Sequence, residues 1–334
     1  MQHFSTALSF VFLLQGVMAG HPQINHVRHR GSRQPSSQLH PRAGTTFKLQ
    51  DMYQGQSFFD GWDFFTGADP THGNVDFVGK SEAMSSGMAY VQSDNTTVIA
   101  VDDKSTVAVG GNRKSVRIQS KKTYTKGLFI ADFWSMPHGC GVWPAWWSVG
   151  PDWPAGGEID VVEGVNLGQL NQMTLHTSDD CTLNTNTAFS GHTLGTQCAS
   201  SGNDNAGCGI QDTNDNSYGH GFNQIAGGVF AHLWDDSGIS VWHFARGSVP
   251  GDIAAQNPDP SSWGTPSASW ATSSCNVGSH FYDHSLVIDT TICGDWAGAA
   301  YAASGCPKTC ADAVADNSNF AHAKWNVNYI AVYQ

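Results

Sequence analysis

The sequence predicts an all-β fold, a β-sandwich of the jelly-roll kind, and three observations carry that expectation. Short runs of β-branched and aromatic residues recur along the chain; clusters of Gly, Asn, Asp, Ser and Pro separate them; few stretches have helical composition. In order the runs are "STVAVG", "SVRIQS", "GLFIADFW", "EIDVVEG", "QMTLHT", "GGVFAHLW", "GISVWHFA", "HSLVIDTTI" and "VNYIAVY". The best helical stretch is "CADAVADN", and the 37 Gly suit many turns. Many short strands with long polar loops bury their apolar faces by stacking one sheet on another.

The N-terminus reads as targeting rather than fold. Residues 1–19 resemble a secretory signal peptide, with the apolar core "ALSFVFLL" and small or compact residues before Gly20. Residues 20–44 are rich in His, Arg, Pro and Ser, carry no acid, and are expected to be a disordered leader or pro-segment. No later run approaches the ~20 apolar residues of a membrane span. The closing "NVNYIAVYQ" lacks the apolar tail of a glycolipid anchor, so a secreted, extracellular, monomeric protein is expected. Residues 45–334 show no break in composition, no repeat and no linker, and are expected to form a single domain. They hold 12 of the 16 basic residues against all 28 acids, a net of −16, which argues against nucleic acid or an anionic membrane as partner.

Eight cysteines in a secreted chain predict disulfides, and eight allow 105 pairings that the sequence does not rank. A zinc site is the weaker reading, because Cys306-Pro-Lys-Thr-Cys310 lacks a second pair of ligands at suitable spacing. Asn95-Thr96-Thr97 is one acceptor for N-glycosylation.

The chemistry concentrates in "GGEIDVVEG" (156–164). The chain has only three Glu, and two of them, Glu158 and Glu163, lie here with Asp160 between them. In a strand, Glu158 and Asp160 share one face, whereas strict alternation would turn Glu163 into the core. A lone buried carboxylate costs several kcal/mol, so a one-residue bulge at Val161–Val162 is expected to return Glu163 to the acidic face. The two Glu carboxyls would then stand about 5–6 Å apart, near the ~5–5.5 Å of retaining glycosidases. Asp160 is too short to span that gap and would hold their charges unequal. A solvated acidic face or a calcium site is the plainer alternative. Four Trp (143, 146, 147, 153) fall just before Glu158. Core packing is the ordinary use of Trp, but beside an acidic cluster they suggest flat surfaces for sugar rings.

"GGEIDVVEGVN" resembles the active-site strand of glycoside hydrolase family 16, in the subgroup with ExDxxE rather than ExDxE. "SFFDGWDFFTGADPTHGNVDFV", "GCGVWPAWWSVG", "MTLHTSDDC", "SYGHGFNQIAGGVFAHLW", "VWHFARGSVP" and "CGDWAGAAYAASGCPKTCADAV" follow in the family's order, most like the fungal endo-β-1,3(4)-glucanases or laminarinases. The resemblance implies a concanavalin A-like jelly roll with a concave cleft and a retaining double displacement. It implies Glu158 as nucleophile, Glu163 as acid/base and Asp160 as assistant. Sugar contacts are implied for Trp146 and Trp153, with Trp143, Asp295 and Trp296 as further candidates. His176 is expected roughly level with Asp160 on the next strand. One departure is Leu233, where many relatives carry an acid before the strand Trp. The expected function is hydrolysis of β-1,3 or mixed-linkage glucan without a required cofactor; a structural calcium on the far face is not predicted. A wall-remodelling transglycosylase shares the chemistry. A glucan-binding lectin on the same scaffold would be expected to lack a Glu that this chain keeps.

Overall fold

Side-chain alternation in the runs above builds two layers. The computed structural model describes residues 47–334 apart from 202 and 203, so the segments read as signal peptide and leader lie outside the described residues. One sheet runs, in spatial order, Ala268–Ala271, Gly238–Ala245, Gly228–Asp235, Gly127–Ser135, Lys324–Tyr333, Thr97–Ala100 and Ala89–Val91, with Leu49–Tyr53 also paired to Lys324–Tyr333. The other, the cleft sheet, runs His192–Thr193, Ile210–Gln211, Gln172–His176, Glu158–Glu163, Val142–Val149, His284–Ile292, Arg117–Tyr124 and Trp62–Phe64. All the ladders within these two sheets are antiparallel. The described residues fall in one compact unit.

The expected strands are present with one exception. "STVAVG" (105–110) forms no ladder among the described residues, and Val109 is largely exposed. Its β-branched residues find no partner strand; instead Asp102 Oδ1 accepts from the backbone N–H groups of Lys104 and Ser105 and holds a loop. The expected helix is Cys310–Ala315, started by a capping box between Thr309 and Asp312.

The core lies between the sheets and includes Trp62, Trp146, Trp234, Trp270 and Trp325, each fully buried. Trp146 therefore departs from expectation: it is 1 % exposed, edge-on to Phe133, and cannot touch a sugar in the cleft. Leu233 belongs to the outer face of the first sheet, in a cluster with Val229 and Ala231, while Trp234 beside it points into the core. The departure at that position thus lies on the side of its sheet turned away from the cleft sheet.

The disulfides are Cys140–Cys306, Cys293–Cys310, Cys181–Cys275 and Cys198–Cys208. Cys306 and Cys310 bond to different partners, which disposes of the zinc reading of that spacing. Together these two bridges fasten the 293–310 loop to the start of Val142–Val149, beside the cleft. Asn95 is exposed at the tip of the hairpin between Ala89–Val91 and Thr97–Ala100, open to modification.

Candidate active site

The register of three strands sets the site. Against Val142–Val149, Asp160 pairs with Trp147 and Val162 with Trp146, so Val161 is the extra residue of a bulge. The ladder with Gln172–His176 shifts over the same stretch, between Asp160 and Glu163. Ile159, Val161 and Val162 are all buried in the core, while Glu158 and Glu163 stay partly exposed on the opposite face with Asp160. The expected bulge is present, at the two expected valines.

The "GG" before Glu158 has its own reason. A Cβ on Gly156 would fall 2.3 Å from the Pro151 carbonyl oxygen, and Gly157 has φ +79°, a conformation costly to other residues. This tight return folds the 150–157 loop over the strand end and carries Trp153 with it. Trp153 is 44 % exposed, and its Nε1–H donates to Glu158 Oε2. At the other end, Trp143 Nε1–H donates to Glu163 Oε1 at 2.8 Å. Each Glu therefore has one oxygen fixed by an indole.

Asp160 is almost fully buried between them. Its Oδ2 lies 3.3 Å from His176 Nε2, and His176 Nδ1 is 2.9 Å from Ser200 Oγ. His176 sits opposite Glu158 rather than level with Asp160, whose partner is Thr174, and reaches Asp160 diagonally. Glu158, Asp160 and His176 each offer one ligand atom within 4.8 Å of the others, a donor set that could also hold a cation.

Burial, then the Asp160 charge, holds the Glu163 carboxyl well above the ordinary glutamate range, against the Trp143 hydrogen bond and the His176 charge. Asp160 is also raised well above its ordinary value, first by burial, then by the charge of Glu158 and a hydrogen bond to it. Two carboxyls that each favour the proton beside a third leave the site poised between acid and base roles.

Three residues of this surface carried no assigned role in the sequence reading, which named Trp147 only within the cluster of four Trp and did not name Arg117 or Asp289. Trp147, paired with Asp160, occupies the cleft face that Trp146 was expected to hold. Arg117 lies 4.7 Å from the Phe65 ring centre and 4.8 Å from that of Trp147, and its Nη1 is 3.5 Å from Asp289 Oδ2. Burial pushes Asp289 up to about 6, with Arg117 pulling it down in part. Alternation held the signal: Trp143 bonds Glu163, so Ala145 and Trp147 share its face, and Trp146 cannot. Of the weaker candidates, Trp296 stands edge-on to Trp143, 5.6 Å between ring centres, and lines a cavity of about 250 Å³ with Leu167, Gln172 and Gln211. Asp295 is exposed and pairs with His72 Nδ1 at 2.8 Å.

Known proteins resemble this chain in sequence and fold. The family described as "XgeA-like, catalytic GH16 domain" matches residues 62–333. A probable glycosidase of Schizosaccharomyces pombe is 42 % identical over 294 residues, covering 86 % of this chain and 70 % of that protein. A probable endo-1,3(4)-beta-glucanase of Aspergillus fumigatus is 42 % identical over 307 residues, 89 % of this chain; the chain spans only 47 % of that relative. GH16 laminarinase 16A from Phanerochaete chrysosporium, solved with beta-glucans in donor and acceptor sites, is 40 % identical with a TM-score of 0.84, covering 86 % of this chain and all of that one. An elongating GH family 16 beta-1,3-glucosyltransferase is 39 % identical with a TM-score of 0.82, over 86 % of this chain and all of that one. Motif, bulge, sheet order and match agree, and the chain belongs to the XgeA-like family of catalytic GH16 domains.

Proposed function

We propose that the chain is a secreted, retaining endo-β-1,3(4)-glucanase that hydrolyses β-1,3 or mixed-linkage glucan. The observation that carries this reading is the bulge, which puts two Glu on one cleft face with a proton-holding Asp between them. Glu158, its Oε2 fixed by Trp153, attacks the anomeric carbon. Glu163, which keeps its proton through burial, gives it to the departing glycosidic oxygen. A water then enters, Glu163 takes its proton, and the bond to Glu158 breaks with a second inversion. Asp160, holding a proton beside Glu158, donates a hydrogen bond to it in the free enzyme and yields as the ester forms. Trp153 and Trp143 border the cleft at its two Glu, and Trp147 and Trp296 extend the apolar surface for sugar faces. Four disulfides support an oxidising compartment. No helix among the described residues is long and apolar enough to cross a membrane.

Replacing Glu158 with Gln is expected to lower kcat on laminarin by on the order of 10⁴–10⁶-fold while glucan binding persists. Turnover that survives E158Q would remove Glu158 as nucleophile. Proton NMR of the first anomer released should show the β-anomer from a β-linked substrate. Transglycosylation is the second reading, favoured by likeness to the elongating glucosyltransferase. Products longer than a defined laminari-oligosaccharide substrate would select it over hydrolysis.

A further inference from the structure

The loop that carries Trp153 brings no apolar anchor of its own. None of the side chains of residues 151–155 is buried, and Pro151 has no N–H to donate. Gly150 N–H donates to Gly157 O across the neck of the loop at 2.9 Å, and Tyr282 N–H reaches Gly156 O at 3.4 Å. Among the described residues, one side chain from outside the loop bonds its backbone: His284 Nε2 lies 2.8 Å from Gly156 O.

His284 reaches the loop from behind the cleft. It opens the strand His284–Ile292, and its ring is buried in the core, 4.9 Å between ring centres from Trp234. Its other nitrogen, Nδ1, is 2.9 Å from Ser148 Oγ. Ser148 is buried next to Trp147 on the same strand, so alternation puts it on the side away from the cleft. A carbonyl oxygen only accepts, so Nε2 carries the proton toward Gly156 and Nδ1 accepts from the Ser148 hydroxyl. Burial pushes the His284 pKa down to about 4, against the Gly156 hydrogen bond, and near neutral pH the ring is uncharged in this one tautomer. Packing alone does not call for an imidazole here. A Phe would fill a pocket lined by Trp234 and Phe281 with no polar group to desolvate.

The geometry assigns His284 as a positioning residue for the glycosidase reaction: through Gly156 it fixes the loop whose Trp153 indole orients Glu158. The assignment rests on the nucleophile role proposed above for Glu158. Its path is short, because Gly156 stands between Trp153 and Glu158 in the chain, and Trp153 Nε1–H closes the link by donating to Glu158 Oε2.

Two substitutions of similar bulk test it. His284→Met removes both ring nitrogens, whereas His284→Gln keeps an N–H donor near the reach of Nε2. Hydrogen exchange of the Gly157 and Tyr282 amides reads the anchor without reference to turnover: exchange about tenfold faster is expected in H284M, and parent-like exchange in H284Q. On laminarin, kcat is expected to fall about 10–100-fold in H284M and to stay within about threefold of the parent in H284Q. In a cycle with Trp153→Phe, which has no indole donor, the further loss from H284M should vanish; a purely structural role would give losses that add. Unchanged exchange or unchanged kcat in H284M, additive losses in the cycle, or a loosened loop in H284Q overturns the assignment. If H284M does not fold, H284Q decides alone: parent-like exchange and turnover support the assignment, and loss of either overturns it. Failure of the glucanase reading looks different. It appears as a parent without laminarin turnover, or as turnover that survives E158Q, and the exchange measurement still decides the anchor.

Discussion

Glu163 has to hold a proton when substrate arrives and release it within one turnover. Burial and the charge of Asp160 favour the proton; the Trp143 indole N–H and His176 oppose them. Removing the indole donor takes away support for the ionised form, so the Glu163 pKa rises further. Trp143→Phe is accordingly expected to move the alkaline limb of kcat/KM to higher pH, which a pH–rate profile on soluble laminarin would show. A limb that stays in place or moves down would contradict the role of that hydrogen bond. The residue scale was also the most legible in the sequence. Rare Glu, paired on a strand that strict alternation would not allow, announced both the acids and the bulge. Arg117 and Asp289 gave no such signal, because their pairing depends on two strands distant in the chain coming side by side.

At the scale of the element, Val142–Val149 shows how one strand divides its aromatic residues. Trp143 and Trp147 face the cleft; Trp146 is buried against Phe133. Trp146→Ala is expected to cost about 3–5 kcal/mol of stability, measured by urea unfolding, because it leaves a cavity in the core. Trp147→Ala should spare most of that stability and instead raise KM. Equal losses in the two variants would refute the division. Residues 143 and 146 are three apart, and in a strand that spacing places them on opposite faces, whatever a motif suggests. The sheet order and the level of His176 were less legible. A turn's length in residues does not state which residues pair across it, and the observed register differs from the expected one by two.

The whole molecule holds a pH-sensitive group in its core, behind the cleft sheet. His232 is buried in the core, stacked on Phe129 with ring centres 4.5 Å apart, and neither ring nitrogen has a partner. Burial, then His284, pushes its pKa down to about 3. Its folded value thus lies below the unfolded value of ~6.5. As pH falls through that window the unfolded chain takes the proton first, and stability is lost. Asp160, Glu163 and Asp289 work the other way: their raised values favour the folded state as pH falls. A single variant separates the terms. His232→Phe should be more stable than the parent by a margin that grows by about 1.4 kcal/mol per pH unit below ~6.5. A margin flat between pH 7 and pH 4 in chemical denaturation would contradict this. The layered β architecture was legible at this scale from composition alone. The disulfide pairing was not, because it is decided by which loops the two sheets bring together.

The bulge at Val161–Val162 also sets how the gene can tolerate a change of length. Losing one valine codon, whichever of the two, yields Glu-Ile-Asp-Val-Glu, which by plain alternation still turns all three acids to one face. Gaining a codon there also restores plain alternation, but it carries the second Glu two strand positions, about 7 Å, farther from the first, too far for both to act on one glycosidic bond. The single deletion is expected to give a folded protein with measurable laminarin turnover, and the single insertion a protein without turnover. Both changes keep the acids on one face; only the deletion keeps their separation, and it joins the two spacings of the motif by a single step.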